Sequence, residues 1–173
     1  MEVKGEVAME LGYDDVLKPK MSEESYNKLI ALGNQKVYDH VGFFAKHCNP
    51  KTIYMCDDSK EDEDYVRNKA LELGEEHELA KPGQTIHWDG YGDQARDKVN
   101  TRYMVYGENL DKMESLNSIE YEEGLTEILG IAENIMEGKE AVVKCFSEGP
   151  TFSEFTRPCI QFTDSWYVAH SEQ

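Results

Sequence analysis

Residues 49–74 read NPKTIYMCDDSKEDEDYVRNKALELG. Thr52, Ile53 and Tyr54 are β-branched or aromatic and follow Asn49-Pro50, which predicts a short strand through Cys56. Asp58 with Glu61 three residues on has the form of a capping box, with Ser59 as the alternative cap. The acids Glu61, Asp62, Glu63 and Asp64 suit the positive end of a helix dipole. Val66, Ala70 and Leu73 recur at helical spacing and mark the side expected to be buried, and Gly74 supplies the stop. A calcium loop is not read here, because an acid stands where the EF-hand needs Gly and the terminal Glu is missing.

The same alternation extends in both directions. Upstream, MSEESYNKLIALG predicts a short helix capped by Ser22 and stopped by Gly33. NQKVYDHVGFFAKHCNP follows, with Val37, Val41, Phe44 and Cys48 on one helical face. Downstream, QTIHW and RYMVY predict two strands flanking the loop of residues 87–101. IEYEEGLTEILGIAENIMEG predicts the longest helix, with Leu125, Ile128, Ala132 and Ile135 as its apolar face. EAVVKCF and CIQF predict strands, and TDSWYVAHSEQ a last helix capped by Thr163 or Asp164. Strands alternating with helices indicate a layered α/β domain. The chain stops at Gln173 just after an apolar helical start, an odd place for a natural end.

Composition narrows the function classes. With 173 residues the chain can build one real core. Its 18 Lys and Arg against 35 Asp and Glu give a net charge of −17, which argues against nucleic acid or an anionic membrane as partner. No stretch approaches the ~20 apolar residues of a membrane helix, and the N-terminus lacks the pattern of a signal peptide, so a cytoplasmic location is expected. Cys48, Cys56, Cys145 and Cys159 form no CxxC pair and are read as small buried hydrophobes rather than zinc ligands. His47 and His87 stand beside aromatic residues and are read as packed or surface histidines. Gly90 and Gly149 mark either ordinary turns or close backbone approach to a ligand. Phosphate loops, dinucleotide fingerprints and the common hydrolase motifs are absent from the sequence.

One cation stands out in the acidic chain. Arg96 lies in HWDGYGDQARDKVNT, residues 87–101, a loop rich in Gly and Asp. It is either a surface salt bridge worth ~0–1 kcal/mol or a clamp for an anionic substrate, since a guanidinium offers carboxylate or phosphate a planar fork of donors.

Three segments together carry a family resemblance. NPKTIYMCDDSKEDEDYV, GYGDQARDKVNT and SEGPTFSEFTRPCIQFTDSWYVAHSE resemble, in order and spacing, segments of GTP-dependent phosphoenolpyruvate carboxykinases. DGYGDQARDK and TDSWYVAHSE look most like the archaeal branch. The resemblance implies a layered α/β domain with a mixed β-sheet and flanking helices. It implies an N-terminal extension over residues 1–20 and a substrate-contributing domain over 21–173. It also implies a reaction, the decarboxylation of oxaloacetate and phosphorylation of the enolate by GTP to give phosphoenolpyruvate, GDP and carbon dioxide. By position Arg96 matches the arginine that binds oxaloacetate or phosphoenolpyruvate. Lys98 departs from the acid of animal enzymes at that position, and Asp58 stands where they usually have Gly. Manganese, and GTP with magnesium, are the cofactors the family implies. Their phosphate loop, metal ligands and guanine pocket lie beyond the point corresponding to Gln173. No catalytic residue and no metal ligand is therefore expected on this chain, whose C-terminal nucleotide-binding partner domain is absent and which is expected to be inactive alone. Two other readings stay open beside it: a stand-alone acidic module that binds anions or scaffolds without catalysis, and a purely structural domain.

Overall fold

The computed structural model describes residues 9–90, 100–113 and 116–172. A three-stranded mixed sheet forms its centre, in the order β1-β6-β7. Strand β1 (Thr52–Met55) runs parallel to β6 (Glu140–Glu148), pairing Thr52 with Glu140 and Met55 with Val143. Strand β7 (Arg157–Thr163) returns antiparallel on the other side, pairing Val142 with Thr163 and Glu148 with Arg157.

Both faces of this sheet are covered, which explains the nearly continuous apolar runs in β1 and β6. Successive strand residues point to opposite faces. Ile53, Met55, Ala141 and Val143 join one core with Leu17, Leu29, Tyr38, Val41 and Ala45. These come from α1 (Asp14–Leu17), α2 (Glu23–Ala31) and α3 (Gln35–His47). Cys56 and Val142 face the other way, into a core with Val66 and Ala70 of α4 (Lys60–Glu72) and Trp166 and Ala169 of α7 (Trp166–Ser171). The result is helix, sheet, helix: the layered α/β domain that the alternation predicts. Leu17 and Met21 lie on either side of the expected boundary after residue 20 and belong to the same core.

The remaining elements are small. β2 (His77–Glu78) and β3 (Thr85–Ile86) make a two-stranded antiparallel hairpin. β4 (Tyr103–Val105) pairs in parallel with β5 (Ser118–Glu120). Between these last two lie α5 (Gly107–Leu110) and a 3-10 turn (Asp111–Met113), and α6 (Tyr121–Ala132) packs on β4 and β5.

Several details differ from the sequence reading. Ser59, not an Asp58 box, caps α4, accepting from the Asp62 amide. Ser165 caps α7 by accepting from the Val168 amide, while Thr163 accepts from the Ser165 amide one step earlier. Leu73 is exposed, because the chain has left the helix by then and turns at Gly74 with φ +73°. Helix α6 is not the longest: it ends at Ala132, and Asn134 takes φ +54°. Its Ile128 and the later Ile135 are exposed rather than buried. Cys145 is exposed and Cys159 half-buried, since β6 and β7 outrun β1 and their far ends lose its cover. Phe152 and Phe155 are exposed, whereas Trp166 is 1% exposed and packs against Tyr65 of α4.

Candidate functional site

Strands β1 and β6 run in the same direction, and a cleft of about 970 Å³ opens beyond the carboxyl end of β1. That is where ligands gather in α/β sheets. Asp62 organises one wall. Its carboxylate is 3% exposed and accepts from Tyr54 Oη, Lys28 Nζ and the Asp57 amide, each at 2.7 Å. Lys28 also faces Asp57 at 3.2 Å and Glu24 at 3.3 Å. Burial opposes its charge, but the hydrogen bonds to Asp62 and Asp57 win and raise its pKa. Asp57 is held at about 2, first by its bonds with Ser59 and then by Lys28. The lysine is thus consumed by carboxylates.

The opposite wall carries Lys144, buried, with Nζ donating to the Ala169 carbonyl at 3.0 Å. Burial lowers its pKa. Cys56 nearby is pushed up to about 12, by burial and then by the Asp62 charge, so its thiol stays protonated and is no nucleophile at neutral pH. Burial also raises the Glu172 carboxyl. Carboxylates outnumber amines along the cleft, with Asp57, Asp58, Asp62, Glu63 and Glu172 facing Lys28 and Lys144. An anion has no reason to settle there. Among the described residues no group of three or more His, Cys, Asp or Glu side chains could hold a metal ion, and no step is assigned to one on this chain.

A second cluster lies where α4 gives way to the β2–β3 hairpin. The Glu75 carboxylate accepts from Ser165 Oγ and from the Tyr167 amide, each at 2.8 Å. His87 Nδ1 donates to the Glu75 carbonyl at 2.6 Å, and its ring lies 3.6 Å from that of Tyr167 with the planes 9° apart. Its other nitrogen is 3.5 Å from Asp89. Glu76 is 4% exposed and accepts from His170 Nδ1 at 2.6 Å. The start and end of α7 therefore both hold the strap that leaves α4.

Arg96 and Lys98 lie outside the described residues. Of the two alternatives read for these histidines, packed or surface, both are packed: His87 on Tyr167, and His47 with its ring stacked on Phe43 and Nε2 2.7 Å from the Leu129 carbonyl. Gly149 takes φ +84°, and a Cβ there would come 3.3 Å from the Phe155 carbonyl oxygen, so it serves a turn. Sequence reasoning missed Glu75, Glu76, Tyr167 and His170. One signal was available: Glu75 and Glu76 follow the negative end of α4, where acids are unfavourable unless something else holds them.

The fold and these sites define an α/β domain of a particular family. Residues 39–173 match the family described as phosphoenolpyruvate carboxykinase N-terminal domain, and the chain belongs to that family. It is 46% identical over 157 residues to the phosphoenolpyruvate carboxykinase (GTP) of Pyrococcus abyssi, covering 90% of this chain and 25% of that protein. It is 43% identical over 159 residues to the protein of the same name from Thermococcus sibiricus, covering 92% of this chain and 25% of that protein. With the one from Saccharolobus solfataricus it shares 35% identity over 158 residues, 91% of this chain and 26% of that protein. The chain spans about a quarter of the length of the curated relatives it matches.

Proposed function

We propose that this chain is the substrate-contributing N-terminal part of a GTP-dependent phosphoenolpyruvate carboxykinase. The longer enzyme would decarboxylate oxaloacetate and phosphorylate the enolate with GTP, in the cytosol and in the service of gluconeogenesis. Identity of 43–46% over about nine-tenths of the chain carries this reading. Arg96 supplies the substrate contact. Its guanidinium binds a carboxylate of oxaloacetate through two parallel hydrogen bonds and fixes the reacting end in place. It also offsets the charge that builds on the enolate oxygen. Arginine suits this task because it stays protonated at any working pH. Manganese and magnesium-bound GTP belong to the part of the enzyme that follows this domain, and they supply phosphoryl transfer there.

The experiment is kinetic. In the full-length enzyme Arg96→Ala is expected to lower kcat/KM for oxaloacetate by about 10²–10³, the size of losing one preorganised charged donor. Wild-type turnover and affinity in that variant would sink the assignment. The present chain alone is expected to form no phosphoenolpyruvate from oxaloacetate and GTP, and detectable product overturns that expectation.

A further inference from the structure

We propose that the cleft at the carboxyl end of β1, with the β6–β7 turn on its rim, is a dock for the remainder of the longer polypeptide, which fills it with a Lys or Arg side chain carried on an apolar face. The inference rests on the part of the functional reading that makes this chain one piece of a longer enzyme. No residue of the cleft is assigned a role in the chemistry.

The rim is a braced turn over residues 149–156. Thr156 Oγ1 accepts from the Ser153 amide at 3.1 Å, and Ser153 Oγ accepts from the Phe155 amide at 3.2 Å. The Thr156 amide donates back to the Ser153 carbonyl at 3.2 Å. This order serves to hold two large rings in water: Phe152 is fully exposed and Phe155 is 69% exposed. Phe152 also takes φ +61°, the left-handed region that a bulky residue enters only at a cost. Within this chain the ring returns nothing for that cost. Paired exposed aromatics on a rigid turn are the form of an interface anchor. Gly149 and Thr151 of the same turn line the cleft, so the rings and the hollow make one surface.

The hollow combines apolar walls with unmet negative charge. Leu32, Met55 and Phe146 line part of its 970 Å³. Its two lysines are already engaged, Lys28 by Asp62, Asp57 and Glu24, and Lys144 by the Ala169 carbonyl. Glu172 Oε2 is buried and, among the described residues, accepts from no donor. A buried acceptor without a donor is costly, and an arriving cation would relieve it. The space is far wider than a bare ion needs. A Lys or Arg fits both halves, with its stem on Leu32 and Phe146 and its charge at Glu172. Charge then selects who brings that cation. A second copy of this chain, at −17, would bring the same carboxylates to the hollow and be repelled. The larger part of a relative such as the Pyrococcus abyssi enzyme lies outside the 25% that this chain matches, and it is tethered to this domain at high effective concentration.

The test uses the full-length enzyme and the thiol of Cys145, which lines the cleft and is exposed in this domain. Its labelling by a maleimide is followed by peptide mass. In the native enzyme Cys145 is expected to react at least about tenfold more slowly than in the same protein unfolded in urea. Labelling at the unfolded rate overturns the proposal. Phe152→Gly supplies the sign. Glycine accepts the left-handed backbone freely, so without a dock this variant is silent or more stable than wild type. With the dock it loses an anchor, and it is expected to melt at lower temperature and to label at Cys145 about tenfold faster than wild type. A silent or stabilised Phe152→Gly overturns the proposal. Glu172→Lys puts a like charge where the cation sits and is expected to speed labelling as well; unchanged labelling in that variant overturns the cation's place. Protection that fades on dilution assigns the surface to a second copy and overturns the intramolecular dock. Formation of phosphoenolpyruvate from oxaloacetate and GTP by the same wild-type preparation tests the functional reading separately. A protected Cys145 in a protein without that activity would remove the carboxykinase reading and support the dock.

Discussion

Asp62 on α4 and Lys28 on α2 meet at 2.7 Å across the carboxyl end of β1, thirty-four residues apart in sequence. The same carboxylate accepts hydrogen bonds from the Tyr54 hydroxyl and from the Asp57 amide. It thereby joins helices on opposite faces of the sheet. Removing one partner of a buried ion pair leaves the other charge uncompensated, at a cost of ~3–5 kcal/mol. Asp62→Ala is expected to lower stability by about that much in urea unfolding followed by circular dichroism. Lys28→Met leaves the Asp62 charge, 3% exposed, with only the Tyr54 hydroxyl and the Asp57 amide, and is expected to cost a comparable amount. Wild-type midpoints in both variants would show that Asp62 is not the hub described.

That hub shows where sequence reading succeeds and where it stops. Residues 49–74 disclosed a strand, a cap, a dipole-matched acidic turn and a helix, because each is a local preference. The same reading took Asp62 for one more acid suited to the positive end of the helix dipole. Nothing within four residues tells that Lys28 and Tyr54 converge on it. Ile128 and Ile135 failed for a related reason: their burial depends on whether another element covers them, and helical spacing cannot say. His87 was read as a packed or surface histidine from its neighbours, and its partner Tyr167, eighty residues away, carried no signal of its own. The resemblance found the family, and found Arg96, through short motifs rather than through the contacts that hold them.

Asp14 gives the fold a pH-dependent joint. Tyr38, fully buried, donates to it at 2.9 Å, Tyr26 donates as well, and Lys18 lies 2.6 Å away. Its pKa is lowered, most by the bond with Lys18 and then by Tyr26. Both tyrosines are pushed up to about 12, by burial first and then by Asp14, so they remain donors. A folded-state pKa below the unfolded value of 3.8 means stability that is complete above that value and fades as pH falls through the folded one. Asp14→Asn is expected to cost ~1–3 kcal/mol at pH 7, the worth of hydrogen bonds to a charged group. Wild type and variant should draw together as pH falls through the lowered Asp14 value, where the wild-type carboxyl also becomes neutral. A gap that stays constant between pH 7 and pH 2 in urea titrations would show that Asp14 acts through shape alone.

Gly42 sits inside α3, where replacing Gly by Ala ordinarily gains about 1 kcal/mol. Here the sign reverses. A Cβ at Gly42 would stand 2.3 Å from Cγ and 2.6 Å from Cβ of Tyr13, the base of that side chain rather than its mobile end. The residue before α1 would have to move, and overpacking of this kind costs ~1–3 kcal/mol. Gly42→Ala is therefore expected to unfold at lower temperature than wild type. Gly130→Ala, in α6 with nothing within 4 Å of the new Cβ, is the control and is expected to gain up to about 1 kcal/mol. Thermal melts that rank the two variants the other way would refute the close approach of Tyr13 to α3.

Lys144 is the cation the core holds against its preference. Its ammonium is buried at the cleft, bonded to the Ala169 carbonyl, and burial lowers its pKa below the usual 10.5. The unfolded chain therefore binds the proton more tightly than the folded one. Stability must rise with pH between the lowered value and 10.5, and at neutral pH the buried charge weighs against folding. Replacing it by an apolar chain of similar length removes that burden and sacrifices one hydrogen bond, worth ~1 kcal/mol. The two effects oppose each other, and desolvating a buried ammonium costs several kcal/mol against about 1 kcal/mol for the bond. Lys144→Met is expected to unfold at a higher urea concentration than wild type at pH 7, with the difference shrinking as pH is raised toward 10. A variant less stable than wild type at pH 7 would mean that the bond to Ala169 outweighs the burial of the charge.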